Sequence, residues 1–185
     1  MSTTKTAFPG FDSPAAGFEA PLEMLSACHG RVERQCDTLL RLVPHLAAHG
    51  PDAAAREAAQ NVMRYFDTSA RHHHADEEED LFPALLRAAP AAELAALREL
   101  VAALQAQHRE LEQAWGEVRR QLEAIRGASR RELDAAALDR MVGLYRSHIA
   151  LEEAELLPLA ARILGPAQLD GVGSAMRARR GIKEI

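Results

Sequence analysis

Hydrophobic residues recur every three to four positions along four long stretches of the chain, with polar and charged residues between them. This spacing matches the turn of an α-helix, so the pattern predicts four amphipathic helices, each with one apolar face. The first helix is predicted over residues 21–49 and ends at Gly50 and Pro51. The second begins after Asp52, whose side chain suits the N-cap position.

The ends of the other predicted helices are marked by proline and glycine residues. The second reaches Pro83, which bends or ends it. The third runs from about residue 91 to residue 126 and stops at Gly127, and the fourth follows a connection over residues 127–133 and ends near residue 165. Four long helices with short links predict an all-α fold, an antiparallel up-down four-helix bundle. The composition agrees, because aromatic residues make up only 4% of the chain.

The predicted bundle occupies residues 21–165, between a flexible tail over residues 1–20 and an extension over residues 166–185. A chain of 185 residues is long enough for one domain with a sizeable core. Its start lacks the apolar core of a secretory signal, and no run of 18 apolar residues occurs. Cys28 and Cys36 lie about 12 Å apart on one predicted helix, too far for a disulfide. These features indicate a cytoplasmic protein.

The charge of the chain argues against nucleic acid and anionic membranes as partners. The formal net charge is -5, whereas either partner needs a cationic surface. The end of the chain carries a local basic cluster, formed by Arg177, Arg179, Arg180 and Lys183. So few cations on an acidic protein favour a short capping helix with a solvated basic face over a nucleic-acid tail.

Candidate chemistry is concentrated in the stretch RHHHADEEEDLFPALL, residues 71–86. Residues four apart lie on the same face of a helix, so either His73 with Glu77 or His74 with Glu78 could offer an imidazole and a carboxylate to one point. That combination suits a metal ion. The stretch alone is ambiguous, because a run of histidines and acids also makes a solvated helix face.

The second half of the chain repeats this pattern at a fixed offset of 75 residues, in SHIALEEAELLPLAARI, residues 147–163. His148 falls on His73 and Glu152 falls on Glu77. The leucine and the proline that follow each pair coincide as well. The repeat therefore favours these two pairs as metal ligands.

The neighbouring register is not kept in both copies. Under the same offset His74 falls on Ile149, while Glu78 falls on Glu153. We therefore interpret His72 and His74 as bystanders.

Two further histidines, His29 and His108, lie within apolar stripes of the first and third predicted helices. A lone histidine in such a stripe is usually a hydrogen-bonded core residue. Here 44 residues separate His29 from His73, and 40 separate His108 from His148, so the two occupy corresponding places in the two halves. This correspondence favours both as ligands.

The resulting order of one histidine, HxxxE, one histidine and HxxxE resembles the hemerythrin-like family of HHE cation-binding domains. The likeness covers about residues 21–164, including the EExxLFP and EExxLLP segments. It is carried by His29, His73, Glu77, His108, His148 and Glu152. The resemblance implies a bundle around two non-haem iron ions bridged by both glutamates, with the first two histidines on one iron and the last two on the other.

The donor types agree with that implication, because imidazole and carboxylate without thiolate suit iron, manganese or zinc. A ferritin-like site would instead use an ExxH motif. None of the four predicted histidine ligands has a glutamate three residues earlier. The sequence therefore favours the hemerythrin-like arrangement.

The chain differs from oxygen-carrying hemerythrin in its third helix. The carrier has HxxxH there, whereas this chain has His108 and Glu112. If Glu112 does not bind metal, open or water-filled coordination positions suit reaction with oxygen, peroxide or nitric oxide better than reversible carriage. If Glu112 binds, the site is richer in carboxylates. Glu112 and Glu33 are expected to support a metal-binding side chain or to face solvent rather than to bind metal. Tyr145 is expected to pack in the core, with a hydrogen bond to a metal-binding side chain or a contact with a bound oxygen species as the alternatives.

Three functions are compatible with the sequence. The first is a di-iron protein that binds, senses or reacts with O2, NO or peroxide, without being a conventional enzyme. The second is a di-iron protein that repairs iron-sulfur centres after nitrosative or oxidative stress. The third is a helical bundle with zinc or no metal that binds a partner protein. Both a monomer and a homo-oligomer remain open.

Overall fold

The computed structural model describes residues 17–182 of the chain, and no strand occurs in that range. The five helices are α1 (Pro21–His49), α2 (residues 53–88), α3 (Leu94–Arg126), α4 (residues 135–163) and α5 (Pro166–Arg179). Helix α1 packs against α2 and α4, and α3 packs against the same two helices. The first four helices thus form a bundle in which neighbours in sequence are neighbours in space. The predicted all-α fold is confirmed.

Two of the bundle helices contain π-helical segments. Helix α2 consists of Ala53–Tyr65, the π segment Phe66–Ala70, Arg71–Ala75, the π segment Asp76–Leu81 and Phe82–Ala88. Helix α4 consists of Ala135–Leu151, the π segment Glu152–Leu156 and Leu157–Ile163. Both helices continue beyond their π segments. Glu77 and Glu152, which coincide in the sequence repeat, each lie in a π segment, so the sequence repeat is also a structural repeat.

Pro83 does not end α2, which continues to Ala88. A proline ring inside an α-helix clashes with the carbonyl group four residues earlier. The wider π turn that precedes Pro83 gives that carbonyl room, and Pro158 follows a π turn in α4 in the same way. The prolines therefore accompany a local widening of each helix beside the histidine and glutamate pair.

Side-chain caps start two of the helices, and the sequence predicts the one at Asp52. The Asp52 carboxylate accepts a hydrogen bond from the Ala55 backbone N–H at 2.8 Å. The Asp134 carboxylate accepts from the first turn of α4, including the Ala136 N–H at 3.0 Å. Helix α3 ends at the predicted Gly127 but begins at Leu94, three residues after its predicted start.

A layer of polar side chains divides the core of the bundle in two. The first apolar cluster includes Val32, Phe66, Leu111 and Tyr145, and the second includes Leu25, Leu81, Leu104 and Leu156. On each bundle helix the predicted ligands fall between a residue of the first cluster and one of the second. The apolar clusters thus exclude water from the polar layer on two sides.

Helix α5 closes one end of the second apolar cluster with Val172 and Met176. Arg179 and Arg180 continue from it to the fully buried Asp76 of α2, with N–O distances of 2.5 and 2.6 Å. The expected helix is present, but the expected solvated basic face is wrong for these two arginines, whose side chains are only 16% exposed. Buried Asp76 requires cationic partners, and the arginines supply them. Lys183 and the tail up to residue 16 lie outside the described residues.

Replacing both Arg179 and Arg180 with alanine is expected to lower the free energy of unfolding by about 3 kcal/mol, because the Asp76 carboxylate would remain buried without its partners. Urea denaturation of the metal-free protein measures this loss. The exposed Arg120 provides the control, since its replacement with alanine should change the same free energy by less than about 0.5 kcal/mol. Equal small losses in both variants would show that the arginine cluster is solvated after all.

Among residues 17–182, no helix combines the length and the apolar character that a membrane crossing requires.

Candidate metal centre

Six buried side chains from all four bundle helices converge in the polar layer. They are His29 of α1, His73 and Glu77 of α2, His108 of α3, and His148 and Glu152 of α4. None of the six is more than 5% exposed. The structure therefore brings together every residue that the sequence pattern singles out as a metal ligand.

Each glutamate lies between two histidines, one on its own helix and one on a neighbouring helix. Glu152 places one carboxylate oxygen 3.0 Å from His29 Nε2 and the other 3.2 Å from His148 Nε2. Glu77 places its two oxygens 3.4 Å from His73 Nε2 and 3.3 Å from His108 Nε2. Each carboxylate thus contacts two histidines from different helices, one with each of its oxygens.

The six side chains form two overlapping groups of four. One group contains His29 and His73, the other contains His108 and His148, and both glutamates belong to both groups. Within each group, one donor atom from every residue lies within 4.8 Å of the others. This is the arrangement needed for two cations that share two carboxylates.

The donor atoms of this centre are buried without hydrogen-bond partners in the described chain. They include both oxygens of Glu77 and of Glu152, and Nε2 of His29, His108 and His148. The nitrogens approach the oxygens closely, but these approaches lack the alignment of hydrogen bonds. Leaving a buried polar atom unsatisfied costs about 1–3 kcal/mol, and more for a charged group. Cations bound among these atoms would give them partners, so the residues fit a metal site.

Burial and neighbouring carboxylates shift the pKa values of several residues in the centre, some upwards and others downwards. Burial, with the neighbouring carboxylate of Glu152, raises the pKa of Glu77 well above its usual range. For His29 burial opposes protonation, but the neighbouring carboxylates of Glu152 and Glu153 outweigh it and raise the pKa to about 9. Burial lowers the pKa of His148 to about 3. Without metal, His29 therefore carries a proton at neutral pH while His148 does not.

In three of the histidines a side-chain oxygen lies within hydrogen-bond distance of the second ring nitrogen, Nδ1. His29 Nδ1 lies 2.5 Å from a carboxylate oxygen of Glu153, and His108 Nδ1 lies 2.6 Å from one of Glu78. His148 Nδ1 lies 2.9 Å from the Gln107 side-chain oxygen. An Nδ1–H that donates to these oxygens leaves Nε2 directed at the centre and makes it a better donor to a metal.

Sequence reasoning missed the partners Glu78 and Glu153, although a signal for them exists. Each follows directly after a converging glutamate, and the two coincide under the offset of 75. The doublet is therefore conserved between the two halves as fully as the HxxxE pairs are. Its second member turns towards the histidine of the adjacent helix rather than towards the centre.

Three further side chains that the sequence analysis considered near the metal ligands differ in their burial and contacts. Glu33 and Glu112 are exposed and belong to neither group of four. Tyr145 is buried in the first apolar cluster, with its ring 5.3 Å from that of Phe66 and 6.5 Å from that of His74, and burial raises its pKa. Tyr145 thus packs as a core residue beside the site.

Both cysteines are buried free thiols. The Arg31 guanidinium donates a hydrogen bond to Cys28 Sγ at 2.8 Å, and burial raises the pKa of the Cys36 thiol to about 12. A thiol with so high a pKa is almost entirely protonated at neutral pH and reacts slowly with oxidants. The cysteines therefore pack as small apolar residues.

The fold and the clustered donors define a class, namely all-α bundles with candidate histidine and glutamate sites for metal. A sequence model described as the hemerythrin HHE cation binding domain matches residues 20–160, and the chain belongs to this family. It is also 35% identical over 169 residues to a protein of Haemophilus influenzae described as uncharacterized, and the match covers 91% of this chain and 95% of that protein. The family resemblance seen in the sequence is confirmed.

Proposed function

We propose that this chain is a non-haem di-iron protein that binds, senses or reacts with a small diatomic ligand, O2 or NO, or with peroxide. One iron would be held by His29 and His73 and the other by His108 and His148, with Glu77 and Glu152 shared between them. The observation that carries the proposal is the membership of both glutamates in both groups of donors. A single ion would leave half of these buried donors unsatisfied.

The charge and the chemistry of the donors support iron. Two carboxylates offset two of the positive charges of a pair of ions, and the four imidazoles are neutral donors. Imidazole and carboxylate together suit iron, manganese and zinc, and the resemblance to hemerythrin favours iron among them. When bound, a pair of irons would supply redox chemistry towards O2, NO or peroxide.

The chain's own residues would hold and shield that chemistry. Glu78 and Glu153 fix the rings of His108 and His29 through Nδ1, which keeps each Nε2 directed inwards. The two apolar clusters flank the polar layer and exclude water from it. The donors of each proposed site therefore lie close together on helices that pack against one another.

Metal affinity is expected to rise with pH through the neutral range. The pKa of His29 is raised to about 9, so a proton must leave this ring before its nitrogen can bind metal. Each proton released makes the apparent affinity fall about tenfold for every unit that the pH decreases below the pKa. Calorimetric titration with ferrous iron in buffers of different ionisation enthalpy measures both the apparent affinity and the number of protons released. An affinity that stays constant from about pH 6 to about pH 8 would contradict a ligand role for His29.

Reaction with small ligands tests the proposed function itself. Protein loaded anaerobically with ferrous iron is mixed with NO, and separately with O2, and the iron absorption bands are recorded. We expect saturable spectral changes that the metal-free protein lacks. Repeated turnover on an NO-damaged iron-sulfur enzyme would point to the repair function instead. An iron-loaded protein that responds to neither gas would contradict the proposal.

A further inference from the structure

The repeated segments of α2 and α4 share the histidine and the two glutamates of the candidate centre but differ at the residue that follows the histidine. Under the offset of 75 residues the histidine, the converging glutamate and the following glutamate of each half coincide. The residue that differs is His74 of α2, whose counterpart in α4 is Ile149. One half thus carries an additional imidazole where the other carries a buried aliphatic side chain.

The His74 ring lies against the second pair of histidines. Its centroid is 4.1 Å from that of His108, and the two rings are nearly parallel, with 13° between their planes. The centroid of the His148 ring is 5.8 Å away, almost perpendicular. His74, His108 and His148 each offer one ring nitrogen, and these nitrogens lie within 4.8 Å of one another. This group of three shares His108 and His148 with one group of four, but it contains neither Glu77 nor Glu152.

His74 also lies on the side of the centre that opens to the surface. A groove of about 580 Å³ passes between α2 and α3, and its lining includes His74, His108, Glu112, Trp115 and Tyr145. The His74 side chain is half-buried there, whereas the other converging histidines are buried. Its ring therefore lines the groove together with that of His108.

We propose that His74 is a third imidazole ligand of the ion held by His108 and His148. The proposal rests on the proposed function above, since it assigns a further ligand to one of its two ions. It makes the two ions inequivalent, with three histidines on one and two on the other. It also replaces the interpretation of His74 as a bystander, which depended on the absence of a histidine at position 149.

The repeat itself supplies the test substitution. His74→Ile copies the counterpart residue Ile149, and His74→Ala removes the ring without adding bulk. His72→Ala is the matched control, because His72 is a half-buried histidine of the same helix outside all three groups of donors. Circular dichroism and melting of the metal-free variants establish that each one folds.

The readout is the Mössbauer spectrum of protein loaded anaerobically with isotopically enriched ferrous iron, together with the rate at which a chelator removes that iron. In the unaltered protein and in His72→Ala we expect two resolved iron environments of equal area. In His74→Ile and His74→Ala we expect both irons to remain, one signal to shift, and one iron to leave about tenfold faster. Free imidazole should return the shifted signal of His74→Ala towards its original position.

Unchanged spectra and chelation rates in both His74 variants would overturn the proposal and leave His74 as a packing residue on His108. That result would leave the proposed function intact, because the unaltered protein would still hold two irons. A failure of the unaltered protein to bind iron would overturn both. The two failures are therefore distinguishable.

Discussion

Substitution of Glu77 by glutamine is expected to abolish binding at both metal positions while the bundle stays folded. Glu77 belongs to both groups of donors, so its loss removes a charged ligand from each ion at once. We expect the affinity for both irons to fall by more than about a hundredfold, beyond the loss usual for a residue that only supports a ligand. Metal content after anaerobic loading and desalting measures the effect.

The same substitution should not destabilise the metal-free protein. Burial raises the pKa of Glu77 well above its usual range, so a neutral amide of similar shape replaces a carboxyl group that already resists ionisation. Glu155→Gln is the control, because Glu155 is an exposed residue of the π segment Glu152–Leu156 and should retain full metal content. Loss of one ion only, with the other bound normally, would show that Glu77 is not shared.

Metal loading is expected to raise the melting temperature by about 10 °C. An ion that binds only the folded state at about a thousand times its Kd adds roughly 4 kcal/mol of stability. For a chain of this size each kcal/mol corresponds to about 2–4 °C. The gain has a structural source, because binding satisfies carboxylate oxygens of Glu77 and Glu152 that are buried without hydrogen bonds in the described chain.

Calorimetric scans of the metal-free and iron-loaded protein measure this shift, and Glu77→Gln provides the matched control. That variant should melt at the same temperature with and without iron. If iron raised its melting temperature as much as that of the unaltered protein, the stabilising ion would be bound somewhere other than at the centre.

Much of the fold follows directly from the sequence. The period of the apolar residues and the cap at Asp52 predict the helices closely, because helix formation depends on local contacts. The histidines His29 and His108 could be found because the chain carries two copies of one pattern. A lone histidine in an apolar stripe would not have been recognised without that comparison.

The remaining features depend on contacts that periodicity does not report. The π turns change the helix locally without changing the apolar stripe. The sequence therefore predicts that Pro83 bends or ends the helix, whereas the helix continues to Ala88. The arginines of α5 reach Asp76 across 103 and 104 residues of sequence, a separation that no local pattern spans. A comparison of the two halves retains only what they share, so it gives no support to His74 as a ligand.

Elemental analysis of anaerobically purified protein, with His148→Ala prepared in parallel, tests the central claim most directly. The account predicts two iron ions per chain in the unaltered protein and loss of iron in the variant, because His148 lies within one of the two groups of four. Zinc or no metal in the unaltered protein, or the same two irons in both proteins, would contradict it.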